Sequence, residues 1–171
     1  GRCAILWPHG VLFRDAEAEM RKKMIAADVV EAVIGLGPNL FYNSPMEACI
    51  LVCNKGKKKD RREKILFINA VNEVKRESAF SFLTDAHITK IHKAFVDFKN
   101  VNGFAKVASI KDVLANNGNM AISLYAHALE NGKQDVKEAG LTDLVKDWQK
   151  QSERLKKDLT EMIDSLSAGL K

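Results

Sequence analysis

Ten consecutive residues, 55–64 (KGKKKDRREK), carry seven positive and two negative charges. The other 161 residues balance to zero, so the net charge of +5 resides in this one stretch. Lys57, Lys58, Lys59, Arg61 and Arg62 could neutralise phosphates, with an affinity that falls as salt rises. No aromatic residue is interleaved, so the stretch suits holding a polyanion rather than reading bases. The bland reading is a solvated hairpin, which is what most charge runs are. The histidines offer no metal site: on a helix His87 and His92 would point about 140° apart, and neither His9 nor His127 supplies ligand spacing. No Ser-His-Asp order or nucleophile elbow is present.

The three cysteines (Cys3, Cys49, Cys53) sit inside apolar runs. On one strand Cys49 and Cys53 would share a face about 13 Å apart, too far to bridge. Core packing and a reducing, cytoplasmic setting are the expectation. Composition is that of a water-soluble globular protein, with 46% hydrophobic and 29% charged residues. No apolar run approaches the roughly 20 residues that cross a bilayer. The chain opens on a strand-like run without Met or a charged flank, so Gly1 is expected to be an internal position of a longer polypeptide.

The elements that must position these groups alternate in character. Residues 3–7 (CAILW) form an apolar run stopped by Pro8 and Gly10. Asp15 can cap a helix to about Ala27, with Met20, Met24 and Ile25 inward and Glu17, Arg21 and Lys22 outward. Strands are expected over Val29 to Leu36, Ala48 to Cys53 and Lys64 to Ala70, the middle one apolar enough to be covered on both faces. Helices follow at Thr84 to Asn100, with Thr84 or Asp85 as cap, and at Ser109 to Asn117. Residues 119–126 read as a short extended segment, and residues 130–140 as a polar, glycine-punctuated linker.

From Leu141 the apolar residues fall into heptads. Leu141, Trp148, Leu155 and Met162 form one series; Val145, Ser152, Leu159 and Leu166 form the other. A helix from Thr142 to Ala168 would be about 40 Å long. Residues 141–171 hold six positive and six negative charges, which suits protein docking rather than nucleic acid. Leu141, Val145, Trp148, Leu155, Leu159, Met162 and Leu166 would line that seam, against a partner or folded back on this chain.

Taken in order, several phrases resemble the γ-type N6-adenine DNA methyltransferases, particularly the modification subunit of type I restriction–modification systems. The first is Pro8-His9-Gly10-Val11-Leu12-Phe13 after a Gly-Arg-led strand. It is followed by Val33-Ile34-Gly35-Leu36 with Asn39-Leu40-Phe41-Tyr42, and by Ala48-Cys49-Ile50-Leu51-Val52 with Asn54-Lys55. The last are Ile65-Leu66-Phe67-Ile68-Asn69-Ala70 and Leu83-Thr84-Asp85-Ala86-His87-Ile88-Thr89-Lys90-Ile91. The likeness runs from residue 1 to about 126. Two departures stand out. No Asn-Pro-Pro or Asp-Pro-Pro tetrapeptide occurs, and Asn43-Ser44-Pro45-Met46-Glu47 replaces the family's loop before the third strand.

The resemblance implies a fold and a role. The fold is α/β: the C-terminal part of a Rossmann-like class I methyltransferase sheet (residues 1–75), a helical extension (76–129), the linker (130–140) and the heptad docking helix (141–171). The parent enzyme would move methyl from S-adenosylmethionine to adenine N6 in DNA. The family's cofactor loop and catalytic tetrapeptide would lie upstream of Gly1, so neither cofactor binding nor methyl transfer is expected of this chain alone. Tyr42, or Phe41, would stack on the adenine turned out of the duplex, which needs an aromatic platform in place of its lost stacking; the alternative is aromatic packing on the sheet edge. The five loop cations would lie beside double-stranded DNA. Partners would be the specificity subunit, the restriction subunit in the full complex, or a second copy. Competing readings are a fused type II restriction–methylation enzyme and a non-catalytic assembly module.

Overall fold

The structure is a computed structural model, and it describes residues 1–41, 44–77 and 80–127 together with Ser152, Glu153 and Lys156. The chain divides into two compact units, residues 1–129 and 130–171. Apart from Ser152, Glu153 and Lys156, which are helical, the expected heptad helix lies outside the described residues, as do its seven docking residues.

The first unit is built on a five-stranded sheet in the order β1-β3-β2-β4-β7, the last being Ala105–Ser109. β1 spans Arg2–Pro8, β2 Val30–Leu36, β3 Ala48–Asn54 and β4 Lys64–Ala70. β3 is antiparallel to both β1 and β2, and β4 is parallel to β2. All seven residues of β2 are buried, and the apolar run of β3 is covered on both sides as its composition demands. One face packs Val33, Cys49, Leu51, Ile65 and Phe67 beneath α1 (Ala18–Ala26) and α3 (Ile110–Ala115). The other packs Ala32, Ile34, Leu66 and Ile68 beneath α2 (Asp85–Asp97) through Ala94, Ile91 and Phe95. The architecture is therefore mixed α/β, three layers deep.

Two caps are as the sequence predicts. Thr84 accepts from the His87 backbone N–H at 3.4 Å while His87 Nδ1 accepts from the Thr84 N–H, a reciprocal capping box. The Ser109 hydroxyl accepts from the Asp112 N–H and starts α3. α2 stops at Asp97, short of the expected Asn100, because Phe98 takes a left-handed φ of 48°.

Other expectations are corrected. Ala105–Ser109 is a strand, β7, pairing antiparallel with β4, so residues beyond 76 extend the sheet itself. Its five residues are too short and mixed to show a period; β4 supplies its partner. Residues 119–126 are not extended but hold a 3-10 turn at Ile122–Leu124. Asp15 makes no side-chain cap; a 3-10 turn over Asp15–Glu17 leads into α1. Within α1 Arg21 points inward, 2% exposed, and Met20 outward. Cys3 is exposed, unlike Cys49 and Cys53, because β1 is an edge strand among the described residues. A two-stranded hairpin, β5 (Lys75–Arg76) with β6 (Ser81–Phe82), follows β4.

Candidate nucleic-acid interface

Strand direction decides which loops share an end. β1, β2 and β4 run the same way, so the segments after Pro8, Leu36 and Ala70 emerge together. In open α/β sheets, the crevice outside the carboxyl ends of the strands is where ligands bind. β3 runs oppositely. It delivers the cationic stretch 55–64 to the other end of the sheet, one seven-residue strand or about 23 Å away.

At the carboxyl ends, Phe41 is 37% exposed and bridges to Ser44 across the tip of its loop. It lines a cavity of about 180 Å³ together with Leu6, Trp7, Pro8 and Met46. Tyr42, the other expected stacking residue, lies outside the described residues. A second cavity of about 300 Å³ adjoins it, walled by His9, Gly10, Arg14, Met46 and Glu47. His9 ties the two loops together: its Nδ1 lies 3.2 Å from Glu47 Oε2, and its backbone N–H donates to the Glu47 carbonyl. His9 Nε2 is buried and finds no partner among the described residues. A side chain at Gly10 would meet the Arg14 guanidinium at 2.6 Å, so Gly10 is the seat on which Arg14 lies.

Arg21 sets the shape of this end, and the sequence pattern missed it. Its Nη1 donates to the Val11 and Arg14 carbonyls at 3.0 and 2.7 Å, and its Nε to Gly118 O at 3.0 Å. Burial lowers the Arg21 pKa, with Glu17 and Asp15 opposing the shift. The available signal was spacing: Arg21 and Ile25 stand four apart and share a helix face.

The cationic stretch divides by direction. Lys57 is 5% exposed, its Nζ on Asp28 Oδ1 at 2.5 Å and on the Lys64 carbonyl at 2.9 Å. Arg61 is also buried. Its Nη1 reaches Glu31 at 3.2 Å, its Nη2 donates to Val96 O at 2.6 Å, and its guanidinium lies 4.6 Å from the Phe98 ring centre. These two cations are structural, and the expectation that they face phosphate is corrected: a charge that has an internal partner is not available outside. Lys58, Lys59 and Arg62 are exposed. They stand at the end opposite Phe41, not beside it.

The chain's one Gly-x-Gly sequence does not fit a cofactor loop. A side chain at Gly37 would meet Val71 O at 2.5 Å, and one at Gly35 would meet Ile122 Cδ1 at 2.6 Å. Those glycines admit neighbouring protein, and no helix follows them to present N–H groups. Among the described residues, that turn therefore does not fit S-adenosylmethionine. Among them no cluster of three His, Cys, Asp or Glu side chains could hold a metal ion.

Comparison with known proteins agrees with the sequence resemblance. The type I restriction enzyme MjaVIII methylase subunit of Methanocaldococcus jannaschii is 41% identical over 133 residues, 75% of this chain and 23% of the relative. The MjaVII methylase subunit of the same organism is 31% identical over 96% of this chain and 28% of its own length. A crystal structure of the type I restriction–modification methyltransferase subunit from Streptococcus thermophilus superimposes with a TM-score of 0.68 at 33% identity. It covers 74% of this chain and 26% of that one. The chain thus spans about a quarter of the length of these relatives. The family model described as N-6 DNA Methylase matches residues 1–134, and the chain belongs to that family.

Proposed function

We propose that this chain forms the target-base side of an adenine-N6 DNA methyltransferase, the modification subunit of a type I restriction–modification system. The observation that carries the reading is Phe41, part-exposed over an apolar cavity at the carboxyl ends of the strands. A base turned out of a duplex needs such a platform, and the pocket walls of Trp7, Pro8 and Met46 suit a flat aromatic guest. Tyr42 adjoins it in sequence and shares the assignment.

The rest of the enzyme supplies S-adenosylmethionine and the groups that act on the amino nitrogen. β1 supports a continuing sheet: among the described residues it pairs on one side only, and Cys3, Ala4 and Leu6 of this edge strand are exposed. An apolar open edge of this length invites another strand. Lys58, Lys59 and Arg62 contact phosphate of the same double-stranded DNA a strand length from the target base. Residues 141–171 dock on the specificity subunit, and the restriction subunit joins the complete assembly; self-association through the same helix is the alternative partner.

The test uses the full-length modification subunit with its specificity subunit. Base–aromatic stacking contributes about 1–3 kcal/mol, so Phe41→Ala with Tyr42→Ala should cut methylation by about 5- to 150-fold. It should also remove the fluorescence rise of 2-aminopurine placed at the target adenine. Unchanged methylation and fluorescence would reject the base-platform assignment.

A further inference from the structure

We infer that the β5–β6 hairpin is a DNA-backbone grip beside the target base, with Lys75 and Arg76 on phosphate and Phe80 against the neighbouring sugar. The inference rests on the target-base reading for its partner, but its residues and its measurable signature are separate.

The hairpin is fastened to the aromatic loop at two points. Gly37 admits Val71 and Val74 so closely that a Cβ there would sit 2.5 Å from Val71 O and 2.8 Å from Val74 Cγ1. Further along, the Ser81 N–H donates to Asn39 O at 2.8 Å, with Ser81 buried. The loop that carries Phe41 and the hairpin thus move as one piece at the carboxyl ends of the strands. Phe80 is 55% exposed, an uncommon placement for an aromatic that only packs. Lys75 and Arg76 are exposed, and neither forms an ion pair with a described residue. Lys75 Nζ lies 5.4 Å from the Phe82 ring centre, which holds its ammonium near the strand while leaving its donors open. The acidic groups of this end are largely engaged: Glu73 pairs with Lys90 and Glu47 with His9, so among the described residues Glu77 is left to oppose the two cations locally. Two cations and an exposed aromatic ring, fixed beside a base pocket, match the alternating charge and apolar sugar faces of a nucleic-acid strand.

The experiment measures binding of the assembled enzyme to a duplex bearing its recognition site, by fluorescence anisotropy across a salt series. Two lost phosphate contacts should lower the slope of log K against log salt by about 1.8. The Lys75→Ala/Arg76→Ala variant should show that drop and about tenfold weaker binding at moderate salt. It should keep the full 2-aminopurine signal at saturating enzyme. Lys75→Arg/Arg76→Lys should restore slope and affinity, and Lys106→Ala, which removes one exposed charge from the edge strand β7, should change neither. Phe80→Ala should weaken binding severalfold without altering the slope. An unchanged slope in the alanine variant, or a loss that the charge-retaining variant does not restore, overturns the hairpin assignment. Loss of the target-base reading shows elsewhere, as an undiminished 2-aminopurine response in Phe41→Ala/Tyr42→Ala.

Discussion

Arg61, at the centre of the most cationic stretch of the chain, points inward to Glu31, its Nη1 3.2 Å from Oε1 with Glu31 1% exposed. The second carboxylate oxygen accepts from Asn54 Nδ2 at 3.0 Å, so β2, β3 and the loop meet at one buried carboxylate. Removing one partner of such a pair strands the other without solvent. Arg61→Ala should therefore destabilise the fold by about 3–5 kcal/mol in urea unfolding. Glu31→Gln combined with Arg61→Met should cost clearly less than the single change, and equal losses would deny the coupling.

Arg21 offers a parallel case on the other face. Its three carbonyl partners belong to residues 11, 14 and 118, so Arg21 ties the loop after β1 to the segment after α3 alongside the Met120 N–H, which donates to Leu12 O at 2.9 Å. Arg21→Met keeps the stem and loses the donors. It should lower stability by about 2–4 kcal/mol, since hydrogen bonds from a charged group contribute about 1.5–3 each and water can replace some. Proteolysis should then open the chain within residues 9–14 first; unchanged protection there would count against this role.

Gly37 predicts a steric effect. An alanine Cβ would press on Val71 O, which is backbone and cannot swing aside, so Gly37→Ala should cost about 1–3 kcal/mol in thermal or urea melts. Gly10→Ala meets only the movable end of Arg14 and should cost less than Gly37→Ala.

The thiols should react in sharply different ways. Burial pushes Cys49 to about 11 and, with the neighbouring Cys3 adding to the shift, Cys53 to about 11. A raised thiol pKa means less thiolate at any pH below it, so at pH 8 both are almost wholly protonated. Titration with a disulfide reagent at pH 8 should label one thiol, Cys3, quickly. The other two should label only on unfolding, and three fast thiols would contradict the packing described.

Deletion of residues 141–171 tests the docking helix. Light scattering should show loss of specificity-subunit binding, or of self-association, with methyltransferase-side packing intact. If both associations survive, the heptad residues from Leu141 to Leu166 have another role. Calorimetry of the isolated chain with S-adenosylmethionine should give no binding heat, and a clear isotherm would reject the view that the cofactor site lies elsewhere in the enzyme.

Much was settled by local chemistry. The apolar run of β3 has no polar interruption before Asn54 and so is legible as a strand covered on both faces, and the Thr84 and Ser109 caps satisfy N–H groups within three residues. The ordered phrases from Pro8 to Ile91 were enough to give the family. What the sequence could not assign was direction and partnership. KGKKKDRREK displays seven cations alike, yet Lys57 and Arg61 have acceptors about thirty residues earlier in the chain, at Asp28 and Glu31, and turn inward. β7 exists because β4 offers it an edge, and Arg21 is buried where the Val11 and Arg14 carbonyls meet that of Gly118, 97 residues away. The reversed run of β3 carries the basic loop away from Phe41. The sequence determines which groups can be charged, apolar or capped, because those are properties of single residues and near neighbours. Which charges remain outside, and at which end of the sheet they stand, depends on long-range pairing and strand order, and only the tertiary structure decides it.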